Sequence, residues 1–272
     1  MSAPDPVSAT TYLQLRLERP SEGVAVLVLD NPEQRNMMSD EMTSSWVRAI
    51  DDLAADRSVR VVVVRGEGSS FCSGGNTGWI ASEPDASVDH LRTRMIAFYR
   101  AWLSIRKLEV PTIAAIHGHA IGAGLAFALA CDLRYAATDA RLSLPFVKLG
   151  MHPGMATTYL LPNVVGMAAA RDLVLTGRTV ESDEALRMGL VSRVFAAASF
   201  EADVLEVAEG IAANAPIATR YAKQALLDQG HADFETCIQF EGLAQPATLA
   251  SEDLQEGIRA ARERRTPVFR GV

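Results

Sequence analysis

An α/β core that gives way to a helical C-terminal layer is what the sequence predicts, and three observations carry that reading. Short apolar, β-branched runs fill the first half of the chain, whereas alanine-rich segments of helical spacing fill the region from about residue 181 to residue 265. Glycine-rich turns follow two of the apolar runs directly. The 272 residues, 49% hydrophobic and 22% charged, suffice to bury one large core. The division falls at residues 1–197 for the core and 198–272 for the helical region, which form one functional unit.

The elements follow in order. Residues 12–18 alternate as YLQLRLE and residues 24–29 read VAVLVL, with Glu22 and Gly23 between them, so a two-stranded hairpin opens the chain. Ser39 is an N-cap candidate for a helix that places Met42, Trp46, Ile50 and Leu53 on one face. Residues 60–64 form a short β-branched strand covered on both faces. The loop at residues 66–78 holds five glycines and three serines. An amphipathic helix covers residues 88–105, a buried strand residues 112–118 and a helix residues 125–131. Short strands are expected at residues 132–136 and 141–144, and helical spacing returns at 158–161 and 168–176. The last third divides into helices near residues 200–214, 217–229, 234–249 and 252–264.

Composition narrows the function. A net charge of -7 with no basic stripe excludes nucleic acid as a partner. The N-terminal MSAPDPVSATTY lacks the charged-then-apolar pattern of a signal peptide, and no apolar run approaches the roughly 18 residues of a membrane span. A soluble, cytoplasmic protein is expected. Cys72, Cys131 and Cys237 are widely spaced, without a paired motif or a histidine at ligand spacing, and read as buried free thiols with no metal.

The chemistry lies in two turns, FCSGGN at residues 71–76 and HAIGAGLA at residues 119–126. Glycine permits positive φ and close backbone approach, and a turn that opens a helix leaves its first N–H groups unpaired. Two such amides from separate strand ends can converge on one developing oxyanion, and the candidates are Gly75 and Ala123. A tight turn without catalytic meaning is the competing reading of Gly122 to Gly124 taken alone. Neither turn has the spacing of a dinucleotide fingerprint, and no phosphate-binding GKS or GKT loop is present.

The ordered set of Asn31-Pro32, Arg35-Asn36-Met37, FCSGGN, VPTIAAIHGHAIGAGL, ACDLRYAATDARLSLP, KLGMHPG, LTGRTVESDEALRMGLVSRV, APIATRYAKQAL and SEDLQEGIRAARERRTPVFRG resembles the crotonase superfamily, the enoyl-CoA hydratase/isomerase family, over roughly residues 12–271. The resemblance implies a crotonase-like spiral of ββα units, a C-terminal helical trimerisation region, and a homotrimer or homohexamer. It implies a lyase or isomerase of fatty acid metabolism, with coenzyme A present only as part of an acyl-CoA substrate and no tightly bound cofactor. The thioester carbonyl would sit between the amides of Gly75 and Ala123. Gln34, Arg35, Met37 and Ser73 would line the coenzyme A path, with Arg265 and Phe269 as further contacts on that side.

One departure stands out. The two glutamates of the family's hydratases fall at Ala126 and Phe146 here, and the dienoyl isomerase aspartate falls near Gly154. Hydration needs one group to activate water and another to protonate carbon, so its usual machinery is missing. His152, in the loop that borders the family's acyl pocket, is the first replacement acid or base, against a role in fixing the turn before Pro153. Trp79 belongs to the substrate pocket with Ala126 and Phe146, and Glu83 or Asp85 is a carboxylate that a lid could swing inward, against a solvated place in the loop. His117 and His119 read as structural or facing coenzyme A. These features support an acyl-CoA enzyme of enoyl-CoA hydratase/isomerase type that stabilises a thioester enolate and, lacking both glutamates, runs a non-standard reaction, with decarboxylation or isomerisation of the acyl group as an alternative. Two further alternatives are a non-catalytic acyl-CoA binder and an enzyme acting on carrier-protein-linked acyl groups.

Overall fold

The computed structural model describes residues 12–227 and 233–272. The N-terminal segment read for targeting, through residue 11, and the end of the expected helix at 217–229 lie outside them. Strands β1 (Leu15–Ser21) and β2 (Val24–Leu29) pair antiparallel around the turn at Gly23. β1 begins three residues later than the alternation predicts, because Gln14 takes a left-handed conformation with φ 57° that breaks the extended chain. Helix α1 (Asp40–Ala55) follows, capped by Ser39, whose hydroxyl accepts from the Met42 N–H at 3.1 Å. Its predicted face, Met42, Trp46, Ile50 and Leu53, is buried.

Strand β3 (Val61–Gly66) leads into the glycine-rich loop, which ends in the short helix α2 (Thr77–Ile80). Helix α3 (Val88–Trp102) passes into a 3-10 turn at Leu103–Lys107, where the sequence predicts continuous helix. Strand β4 (Thr112–Ile116) stops short of the expected end at residue 118, since Gly118 adopts φ 54°. Next come β5 (His119–Ile121), which lies inside the segment read as a plain turn, and α4 (Ala123–Ala128), which starts two residues earlier than predicted. Then β6 (Leu133–Ala137) and β7 (Arg141–Ser143) precede α5 (Thr157–Thr176), in which Gly166 is non-helical and joins the two expected pieces. Strand β8 (Thr179–Glu181), helix α6 (Ser182–Arg187) and strand β9 (Arg193–Phe195) complete the core, and the helices α7 (Phe200–Ala212), α8 (Pro216–Leu227), α9 (Phe234–Leu249) and α10 (Glu252–Glu263) complete the chain.

Two sheets result. The larger has the order β1-β2-β3-β4-β6-β9, parallel from β2 onward, and the smaller has the order β5-β7-β8. The mixed α/β class and the C-terminal helices therefore agree with the sequence reading. Period-two side-chain direction divides the core: Ala25, Leu27, Leu29, Val62 and Val64 face the main cluster under α1, whereas Val24, Val26, Val28, Val61 and Val63 face α7 through Phe200, Val204 and Ala208. Each such valine, leucine or phenylalanine contributes about 1.5 to 3 kcal/mol when removed from water. Helix α7, just past the boundary at residue 197, is thus packed onto the sheet.

Cys72 and Cys131 are buried, and burial pushes both thiols up to about 12. Cys237 departs from the expectation of full burial, because α9 exposes much of its surface and leaves this residue half-buried. Among the described residues no helix is long and apolar enough to cross a membrane, and no cluster of three His, Cys, Asp or Glu side chains could hold a metal.

Candidate active site

The first glycine turn is shaped by Asn36. Its side chain is fully buried, donates to the carbonyls of Glu67 at 2.9 Å and Ser70 at 2.7 Å, and accepts from the Asn31 N–H at 2.9 Å. The second turn is then zipped to the first. The Cys72 N–H donates to His119 O and the Ile121 N–H donates to Cys72 O, each at 3.0 Å. Phe71, the first residue of the first turn, stacks on Phe127 of α4 at 6.0 Å between centroids, and Phe127 in turn packs edge-on against Trp46 and Trp102. Each aromatic pair is worth about 0.5 to 1.5 kcal/mol beyond its buried area, so one apolar cluster holds both turns.

The glycines let the turns meet. Gly74 has φ 95°, and a Cβ there would lie 2.6 Å from Ile121 O and 3.2 Å from Ala123 N. A Cβ on Gly124 would lie 2.4 Å from Cys72 O. Among the described residues neither the Gly75 nor the Ala123 N–H meets a hydrogen-bond acceptor. Both residues line a cavity of about 320 Å³ enclosed by the two turns, α2, α3 and the segment from Pro145 to Met155.

That cavity gathers six of the residues singled out by the sequence: Ser73, Gly75, Trp79, Ala123, Phe146 and His152. Trp79 is held by Asn76, whose Oδ1 accepts its N–H at 3.1 Å, by Phe98 at 5.3 Å and by the Arg94 guanidinium 3.7 Å over its ring. Phe146 is 9% exposed, beside Gly122. His152 is exposed, and its Nδ1 lies 2.8 Å from Pro153 O. In the tautomer that donates to that carbonyl, Nε2 is left as an acceptor.

Other expected residues sit elsewhere. Ala126 does not line the cavity: one turn into α4 its methyl is fully buried in the core. Gln34 and Arg35 meet the first turn through their backbones, the Ser73 N–H donating to Arg35 O at 3.0 Å and the Ser73 hydroxyl to Gln34 O at 3.4 Å, with Met37 half-buried next to them. Arg265 pairs with Glu256 and Glu263 at 2.6 Å each, and the Phe269 carbonyl accepts from Arg60. Arg60 adjoins the N-terminal end of β3, the opposite end of the strand from the loop that carries Gly75, so one chain does not bring these two residues to the cavity. Glu83 is turned onto α3, 2.7 Å from His90 Nε2 and 3.6 Å from Arg94. His117 contacts Gly68 O.

The electrostatic character follows from the lining. No carboxylate, lysine or arginine side chain is among the described residues that enclose the cavity, which is mostly aromatic and aliphatic. Tyr99, which lines the cavity, and Asn36, which fastens the first turn, are positions to which the sequence reading assigns no role of their own. The period-3.6 spacing of α3 presents Tyr99 as a core residue, and the one local signal for Asn36 is its place in a polar turn next to Pro32. An apolar pocket with two free amides can bind a neutral carbonyl and stabilise negative charge that develops on its oxygen.

The model of the Enoyl-CoA hydratase/isomerase family matches residues 19–272. The chain is 36% identical over 257 residues to the (E)-benzylidenesuccinyl-CoA hydratase of Thauera aromatica, covering 93% of this chain and 97% of that protein. It is 35% identical over 278 residues to the mitochondrial Delta(3,5)-Delta(2,4)-dienoyl-CoA isomerase of Dictyostelium discoideum, covering 96% and 92% respectively. The crystal structure of an enoyl-CoA hydratase from Bacillus anthracis superimposes with a TM-score of 0.90 at 31% identity, covering 96% of this chain and all of that one.

Proposed function

The chain belongs to the enoyl-CoA hydratase/isomerase family, and from that premise we propose that it is an acyl-CoA enzyme that holds a thioester carbonyl between the N–H groups of Gly75 and Ala123 and stabilises the enolate formed there. The observation that carries the reading is a pair of amides that meet no acceptor among the described residues, on two residues lining a cavity whose described lining holds no carboxylate. Removing one donor of such a pair costs about 3 to 4 kcal/mol of transition-state stabilisation, which makes the hole the main catalytic device when few other groups are present.

The positions of Ala126 and Phe146 argue against ordinary hydration. Activating water and protonating carbon takes a base and an acid, and the cavity offers no carboxylate pair to share a water. Decarboxylation of a 2-carboxyacyl-CoA fits better, because the substrate's own C–C bond supplies the electron pair of the enolate. Double-bond isomerisation with a single proton-moving side chain fits next. Trp79, Phe98 and Phe146 favour an aromatic or long acyl group.

Gln34, Arg35, Met37 and Ser73 would line the path of coenzyme A. Arg265 and Phe269 reach it only from another copy of the chain, and assembly as a homotrimer or homohexamer would supply one. His152 remains the candidate at the exposed rim.

The test is a panel of crotonyl-CoA, a 3-enoyl-CoA, a malonyl-type 2-carboxyacyl-CoA and their aromatic counterparts, followed by mass spectrometry. Turnover of a 2-carboxyacyl or 3-enoyl ester above crotonyl-CoA is expected; preferential hydration of crotonyl-CoA would overturn the assignment. The absence of a carboxylate from the cavity also favours a second reading, a non-catalytic acyl-CoA binder. In that case acyl-CoA raises the melting temperature while every thioester, free or carrier-linked, is recovered unchanged.

A further inference from the structure

Tyr99 brings a phenol hydroxyl to the wall of the cavity. It lies on α3, half-buried, and lines the same cavity as Gly75 and Ala123. Its hydroxyl comes within 2.5 Å of the place a Cβ on Gly154 would occupy, so the bare glycine is what admits the phenol. Among the described residues that hydroxyl has no hydrogen-bond partner. A half-buried phenol with no protein partner among the described residues, in a pocket lined mostly by apolar side chains, leaves a polar atom for a ligand to satisfy.

Resting on the acyl-CoA reading above, we propose that Tyr99 is the catalytic acid of this site, giving its hydroxyl proton to the α-carbon of the thioester enolate held by Gly75 and Ala123. In that step the electron pair of the enolate C=C bond forms the new C–H bond, the Tyr99 O–H bond breaks, and the thioester C=O is restored. The resulting phenolate takes a proton back from water. The reverse step removes an α-proton and regenerates the enolate, so the same side chain serves an isomerisation.

The surroundings agree with an acid. Burial raises the proton affinity of Tyr99 above the ordinary phenol value, which keeps the proton in place through neutral pH. Among the described residues the other titratable side chain lining the cavity is His152, exposed and engaged through Nδ1 with Pro153 O. Arg94, on the same helix as Tyr99, stacks on Trp79 and pairs with Glu83, which His90 also contacts. None of these places a carboxylate against the phenol.

The experiment follows butyryl-CoA in D2O with wild type, Tyr99→Phe and His152→Ala, reading deuterium uptake at the α-carbon by mass spectrometry and affinity by calorimetry. Wild type should exchange, faster as pH rises toward ionisation of the phenol. Tyr99→Phe should bind within about threefold of wild type yet exchange at least about 100-fold more slowly, with no alkaline rise. His152→Ala should keep both rate and profile. A loss of that size in His152→Ala with exchange retained in Tyr99→Phe would move the acid to His152 and overturn the role of Tyr99. Unchanged exchange in Tyr99→Phe overturns the role of Tyr99 and leaves the acyl-CoA function standing. Wild type that binds without exchange does the same. Wild type that neither binds nor exchanges overturns the acyl-CoA function, and the role of Tyr99 with it.

Discussion

A methyl group on Gly74 would meet Ile121 O at 2.6 Å in a backbone conformation of φ 95°, so Gly74→Ala is expected to push the two turns apart. The loss should be at least about 100-fold in kcat/KM for the thioester that the panel identifies, the scale of a removed oxyanion donor. Urea unfolding should separate that loss from a stability change. The two turns were legible in the sequence because glycine after an apolar run is a local signal with a local cause. Ala126 and Phe146 were legible as slots of the family pattern, although only packing shows Phe146 at the wall and Ala126 sealed behind it. Tyr99 was not legible: its meaning depends on Gly154, which packs against α3 from a remote part of the chain.

Helix α5 starts from two consecutive left-handed residues, Met155 with φ 57° and Ala156 with φ 53°. Neither is glycine, and a left-handed alanine costs about 1 kcal/mol or more. Ala156→Gly is therefore expected to stabilise the fold by about 1 kcal/mol, read from the urea midpoint, because glycine relieves the strain at the start of the helix. A destabilised variant would mean that the Ala156 methyl packs more favourably than its exposure implies. Longer elements with a strong period, such as α1 and β2, were readable to within a residue or two. The strands β5, β8 and β9 are three residues each, too short for alternation to register, and they exist because neighbouring strands offer them hydrogen bonds.

At the scale of the molecule, several carboxylates are held below their ordinary range by arginines: Glu67 by Arg16, Glu184 by Arg178 and Glu256 by Arg265. A carboxylate with a depressed folded value binds fewer protons folded than unfolded, so its contribution is present above the ordinary value of 4.5 and is lost as pH falls through the folded value. The melting temperature should thus be nearly flat above about pH 5 and fall progressively below it, with high salt blunting the change because these pairs are largely exposed. A melting temperature that holds constant down to about pH 3 would count against these pairs as a source of stability. The zipped contact between Cys72 and Ala120 has a different reach. One side hangs from a strand of the larger sheet and the other is β5 of the smaller sheet, so the Gly75 and Ala123 amides adopt their places only after both sheets have docked. Binding competence is therefore a property of the finished fold. A chain with the small sheet detached has no pair of amides to offer, and an acyl-CoA ligand draws the population away from such partly opened states as well as from the unfolded chain.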